Sequence, residues 1–179
     1  MRRTIILSLV LSLYSITHAA SAADELPAAD KAKTVEVLRV PAYCEGVVFD
    51  HAGNGYISWG KAITKFSLDG KHSVWAEPGQ PNGHKILADG THLVCDASHH
   101  AVLHLSADGK SLEHAAKEFE GKPLLGPNDL TLDTANGGFY FSDPGGSGKD
   151  NLIGRAHYVD KAGKVHLVDK TRLKILSDR

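Results

Sequence analysis

The sequence predicts an all-β fold, a propeller of about three four-stranded blades that leaves an incomplete ring, and three observations predict it. Short runs of β-branched and aromatic residues, parted by glycine turns, fill the chain after residue 22. One strand–turn–strand pattern restarts three times at blade-like spacing. Helix-type periodicity is scarce: only Ser111 to Phe119 has a helix-friendly composition, and its neighbours make it a strand and a connecting loop.

The first 22 residues differ from the rest. Arg2 and Arg3 give a charged start, Ile5 to Leu13 an apolar run, and Ala20-Ser21-Ala22 a small-residue cleavage signature, which together read as a secretory signal peptide cut near Ala22. The apolar run is too short to span a bilayer, and no later stretch is long and apolar enough, so a membrane anchor is not expected. The expected organisation is a signal peptide over 1–22, a linker over 23–33 and a partial propeller over 34–179, in a secreted or periplasmic protein. In an oxidising compartment Cys44 and Cys95 could pair, or they could be two buried thiols in neighbouring strands; their spacing fits neither a redox motif nor a zinc knot.

The first unit runs Glu45-Gly46-Val47-Val48-Phe49-Asp50, turns at Gly53-Asn54-Gly55, and returns through Tyr56-Ile57-Ser58-Trp59. The second runs Asn82-Gly83-His84-Lys85-Ile86-Leu87, turns at Asp89-Gly90, and returns through His92 to Asp96. The third runs Asn128-Asp129-Leu130-Thr131-Leu132-Asp133, turns at Asn136-Gly137, and returns through Phe139 to Asp143. A second hairpin follows each, turning at Asp69-Gly70, Asp108-Gly109 and Ala162-Gly163. Glu45, Asn82 and Asn128 stand 37 and 46 residues apart, the step of a four-stranded blade. A sandwich would also supply short strands, but not a polar residue followed by Gly or Asp at one phase of every unit.

Composition directs the search for function to a local site. With 20 Lys and Arg against 21 Asp and Glu, spread singly, the chain shows no basic stripe for nucleic acid and no membrane-surface patch. Residues at one phase of each blade surround one mouth of the channel, so Glu45, Asn82 and Asn128 should converge there. One carboxylate with amide oxygens is a hard donor set, suited to Ca²⁺ or another hard divalent cation rather than to zinc or copper. The plainer reading is that Asn and Gly only form turns at the strand starts. His84 returns to the face of Asn82 and reads either as a group touching or backing substrate or as a hydrogen-bonded edge-strand histidine.

Glu45-Gly46-Val47-Val48-Phe49-Asp50, Pro81-Asn82-Gly83, Gly126-Pro127-Asn128-Asp129-Leu130 and Tyr140-Phe141-Ser142-Asp143-Pro144 resemble the gluconolactonase, regucalcin and luciferin-regenerating enzyme family of six-bladed β-propellers, from about Glu36 to the last residue. The resemblance implies calcium-dependent hydrolysis of sugar lactones or related esters, a small-molecule partner. It makes Glu45 a metal ligand and Asn128 one that binds the metal or reaches it through water and substrate; with the strand-face reading, Asn82, His84 and Asn128 are the candidate substrate-binding groups. Further ligands, an Asn and an Asp from later blades, would lie beyond Arg179, and the family's water-activating base is that late Asp, so the catalytic base is unassigned. Asp129 should point away from the site by strand alternation. Gly126 stands where animal members carry a substrate-contacting arginine, which makes anionic substrates less supported.

Other signals carry less. His100 and His104 are too far apart on a strand to share an ion. Gly145-Gly146-Ser147-Gly148-Lys149 fails the phosphate-loop pattern and reads as a loop overhanging the channel mouth; no Gly-x-Ser-x-Gly elbow is present. The mature chain holds about three blades where propellers close with about four to eight. The favoured expectation is a truncated copy with impaired activity; the alternative is half of a two-chain ring formed by self-association. The competing function is a non-catalytic propeller that binds a partner through a structural calcium.

Overall fold

A computed structural model describes residues 28–169. The expected signal peptide and cleavage point, the first part of the expected linker and the end of the chain lie outside the described residues. Two units are distinguished, divided after Val35. The described part of the first is a 3-10 turn at Ala29–Lys31 followed by extended chain.

The second unit holds three four-stranded antiparallel sheets, each a meander in chain order. Blade 1 comprises β1 (Cys44–Phe49), β2 (Gly55–Trp59), β3 (Ala62–Phe66) and β4 (His72–Ala76). Blade 2 comprises β5 (Pro81–Ile86), β6 (His92–Asp96), β7 (Ala101–Leu105) and β8 (Ser111–Ala116). A small hairpin follows, β9 (Glu118–Phe119) with β10 (Lys122–Pro123). Blade 3 comprises β11 (Leu130–Asp133), β12 (Gly138–Asp143), β13 (Arg155–Val159) and β14 (Val165–Asp169). The expected turns close these hairpins: Gly90 N–H donates to Leu87 O, Gly109 to Ser106 O and Gly163 to Asp160 O, each at 2.9–3.0 Å.

The small hairpin is an addition to the expected strand and loop. Its turn residues, Glu120 and Gly121, both have positive φ. Such a turn normally advertises itself by Asn-Gly or Asp-Gly, so Glu-Gly is a weak signal.

Alternation along the strands gives every blade two apolar faces, and burial pairs them. Val48, Tyr56, Ile63 and Ala76 of blade 1 pack on Ile86, Val94, Ala101, Leu103 and Leu105 of blade 2. On the other side of blade 2, Leu93, Cys95, Val102 and Ala116 pack on Leu130, Phe139, Phe141 and Val159 of blade 3.

The inner strands β1, β5 and β11 lie side by side, and this explains the anchor-plus-glycine pattern. Gly46 has φ +59°, and a Cβ there would stand 2.1 Å from the Asn82 carbonyl oxygen. A Cβ on Gly83 would stand 2.0 Å from Asp129 Oδ1, while its N–H donates to Asn128 O at 2.8 Å. These glycines lie inside strands, at bulges between Glu45 and Val47 and between Pro81 and His84. They are places of close backbone approach rather than turns.

Both cysteines are free. Cys95 is buried as expected, and burial pushes its thiol pKa up. Cys44 is exposed, and it lies on blade 1 rather than in a strand neighbouring Cys95.

Candidate functional site

A cavity of about 400 Å³ opens where the inner strands begin, and Glu45, Asn82 and Asn128 all line it. One anchor comes from each blade. The backbones of Asn82 and Asn128 are tied to neighbouring elements, and Glu45 is held through its side chain. Ser58 Oγ, from β2, donates to Asn82 O at 2.7 Å. Asn128 N–H donates to Ser142 O at 3.0 Å, and Asn128 O accepts from Gly83 N–H. The exposed Glu45 carboxylate accepts a hydrogen bond from Tyr43 Oη at 2.8 Å, a bond that raises the Tyr43 pKa. Trp59, Pro127, Pro144 and Gly145 are also among the wall residues. The start of the Gly145–Lys149 loop therefore does border the cavity.

His84 does not line it. The ring is fully buried behind the wall, with Nδ1 3.1 Å from Ser58 Oγ and Nε2 without a hydrogen-bond partner among the described residues. Of the two places expected, touching substrate or backing it, His84 takes the one behind the wall, because the bulge between Pro81 and His84 breaks the alternation that would have put it beside Asn82. β5 is the inner edge strand of its sheet, as the edge-strand reading of His84 expected, and β1 and β11 of the neighbouring blades lie against it. Burial, with His92 nearby, depresses its pKa to about 4. Asp129 lies outside the cavity wall, its carboxylate 4.0 Å from Lys85 Nζ.

Sequence reasoning missed Tyr43, Ser58, Asp96 and Asp143. The two aspartates are fully buried at the ends of β6 and β12. Asp96 accepts from Gln80 N–H at 2.9 Å, Ser98 Oγ at 2.7 Å and His99 N–H at 3.0 Å, and its Oδ1 is 2.9 Å from His99 Nδ1. Asp143 accepts from Leu125 N–H at 2.9 Å and Gly126 N–H at 2.7 Å, with His157 Nε2 3.7 Å away. Burial pushes the Asp143 carboxyl up, but His157 and the two N–H groups outweigh it and hold its pKa below the ordinary value. A hint of these roles was present in Val94-Cys95-Asp96 and Phe141-Ser142-Asp143, where an acid ends an apolar strand.

The donor chemistry suits a hard cation. A carboxylate, Glu45, and three amide-bearing side chains, Gln80, Asn82 and Asn128, line the cavity, with neither histidine nor cysteine among its lining residues. No group of three or more His, Cys, Asp or Glu able to hold a metal ion occurs among the described residues.

Meander blades set side by side, with their inner strands lining a common cavity, define a β-propeller. The profile of the SMP-30/Gluconolactonase/LRE-like region matches residues 44–175, and the chain belongs to that family. Among curated proteins there is no match. A structural-genomics target provisionally described as a gluconolactonase is 25% identical over 73% of this chain and 50% of its own, with a TM-score of 0.62. A gluconolactonase of Xanthomonas campestris is 20% identical over 72% of this chain and 48% of its own, TM-score 0.63. A calcium-binding regucalcin of Agrobacterium tumefaciens is 20% identical over 70% and 42%, TM-score 0.55. The chain spans about half the length of the solved structures it matches.

Proposed function

We propose that this chain carries half of a calcium-dependent hydrolase site for sugar lactones or related esters. The observation that carries the reading is the convergence of Glu45, Asn82 and Asn128, one from each blade, on a single cavity. Membership of the family supports a lactonase-type hydrolase. Glu45 and Asn128 would hold Ca²⁺ or another hard divalent cation, and Asn82 and Asn128 would orient the substrate. When bound, such a cation supplies polarisation of an acyl oxygen and offsets the negative charge that develops there.

The chain's own residues prepare that chemistry. Tyr43 steers the Glu45 carboxylate, and Ser58 fixes the Asn82 backbone. Glu45 is the sole acidic residue among those lining the cavity. With Glu45 taken as a ligand, no second carboxylate among the described lining residues stands ready to activate water. That same observation favours a second reading, a propeller that binds a partner through a structural calcium without catalysis. The leader over 1–22 points to export with cleavage near Ala22, in the secreted or periplasmic space.

Calorimetric titration of the chain with calcium, beside proton release from a gluconolactone, tests both readings. Weak calcium binding is expected, on the order of 10⁻⁴–10⁻³ M as in low-affinity extracellular modules, and at least about tenfold weaker in Glu45→Gln. Slow calcium-dependent turnover that disappears in Glu45→Gln supports the hydrolase; binding without turnover supports the module. Calcium binding indifferent to Glu45→Gln would remove the cation from this cavity.

A further inference from the structure

We infer that Asp96 and Asp143 are positioning residues that aim Asn82 and Asn128 into the cavity, an assignment that rests on the cavity being the functional site. The argument begins with an offset. Gln80, whose N–H Asp96 holds, stands two residues before Asn82; Gly126, whose N–H Asp143 holds, stands two residues before Asn128. The residue between is proline in both cases, Pro81 and Pro127, and both prolines are buried. Proline has no N–H to secure and a locked φ, and it favours extended backbone in a preceding residue that carries a Cβ, such as Gln80; Gly126 instead takes φ +151°. Holding the N–H two residues upstream therefore fixes the direction in which the following asparagine leaves the backbone.

Blade 1 supports the reading by departing from it in a correlated way. There Trp59 ends the second strand where the aspartates end theirs, and no proline precedes the anchor. Glu45 is steered instead by the residue two before it, Tyr43, through the side chain. A carboxylate serving only to close the strand end would have no reason to be lost together with the proline. Every anchor is thus set from the position two residues upstream, by backbone where a Pro-Asn pair follows and by side chain where it does not.

Burying a carboxylate is costly unless its hydrogen bonds are met. Asp96 meets its own with Gln80, Ser98 and His99, three of the contacts falling on Oδ1. Asp143 spends one oxygen on each of two adjacent N–H groups. An Asn side chain offers one acceptor oxygen, so Asp143→Asn keeps the shape and must release one N–H.

The test uses the full chain and two readouts. The first is ¹⁵N NMR of the Asn82 and Asn128 side-chain amides, with hydrogen exchange at Gln80, Leu125 and Gly126. Asp143→Asn is expected to move the Asn128 signals and speed exchange at Leu125 or Gly126 while leaving Asn82 in place, and Asp96→Asn to do the reverse. Val159→Ala, a core truncation in blade 3, controls for lost stability. If it displaces the Asn128 signals as far as Asp143→Asn does, or if either Asp→Asn leaves its own asparagine unmoved, the assignment is overturned. The second readout is terbium luminescence sensitised through Tyr43 and Trp59, both in the cavity wall, with about a tenfold loss of terbium affinity expected in each Asp→Asn variant. If the NMR shifts occur but the unaltered chain binds no terbium, the positioning role stands and the cation reading falls.

Discussion

His84 and His92 are fully or almost fully buried, their rings stacked with centroids 5.7 Å apart, and His92 also lies against Tyr56 and Trp75. His84 Nε2 and His92 Nδ1 have no hydrogen-bond partner among the described residues, so a proton on either would be stranded. Burial lowers both pKa values to about 4; for His92 the pull of Asp50 upward is opposed by Lys65. In the unfolded chain each returns to its ordinary value near 6.5. Between pH 6.5 and about 4 the unfolded state therefore binds more protons than the folded one, and stability falls as the pH falls through that window. The limiting slope is about 1.4 kcal/mol per pH unit for each histidine. His92→Phe keeps the ring and removes the stranded nitrogen. Denaturant melts from pH 7 to 4 are expected to show a shallower decline in His92→Phe than in the unaltered chain; parallel declines would mean that the carboxylates, not the imidazoles, govern acid sensitivity.

The bulges in β1 and β5 set how closely neighbouring blades approach. Gly46 is the more exacting position, because its φ of +59° and the 2.1 Å approach to Asn82 O both exclude a side chain. Gly46→Ala is expected to cost at least about 2 kcal/mol, from the left-handed backbone and the displaced inner strand together. Gly53→Ala keeps a similar φ penalty in open space and should cost less; chemical denaturation of both separates close approach from backbone strain. These elements also show what a sequence can disclose. The hairpins were legible because Asn-Gly and Asp-Gly turns separate β-branched runs, and the phase of Glu45, Asn82 and Asn128 was legible because blade spacing repeats. The place of His84 was not, because a bulge adds a residue to one strand without a compositional mark, and period-two reasoning then assigns the wrong face. Tyr43 and Asp143 escaped notice because their partners are backbone groups or a near neighbour fixed only by the folded loop. The plain reading of Gly46 and Gly83 as turn formers failed for the same reason: what excludes a Cβ is a strand of the next blade.

In the second unit as described, two sheet faces stay without a packing partner of the kind that joins the blades. On β1, Val48 packs toward blade 2, so Val47 and Phe49 point the other way and are 51% and 54% exposed; Val74 on β4 is 53% exposed. On β12, Phe139 and Phe141 pack toward blade 2, so Tyr140 points away and is 43% exposed. Each internal interface joins two such faces, which makes the outward face of blade 1 complementary in kind to the outward face of blade 3. A buried Val or Phe gains about 1.5–3 kcal/mol over an exposed one, and contiguous apolar faces drive association when nothing covers them. The chain is therefore expected to self-associate, with a weight-average mass in sedimentation that rises with concentration. Lysines at two of these positions, Val47→Lys with Phe49→Lys, place charge on one face only. If that face makes the contact, the pair of substitutions returns the mass to that of a single chain while the far-UV spectrum is kept, and a chain that stays monomeric across the concentration range before any substitution would show that these faces do not drive association.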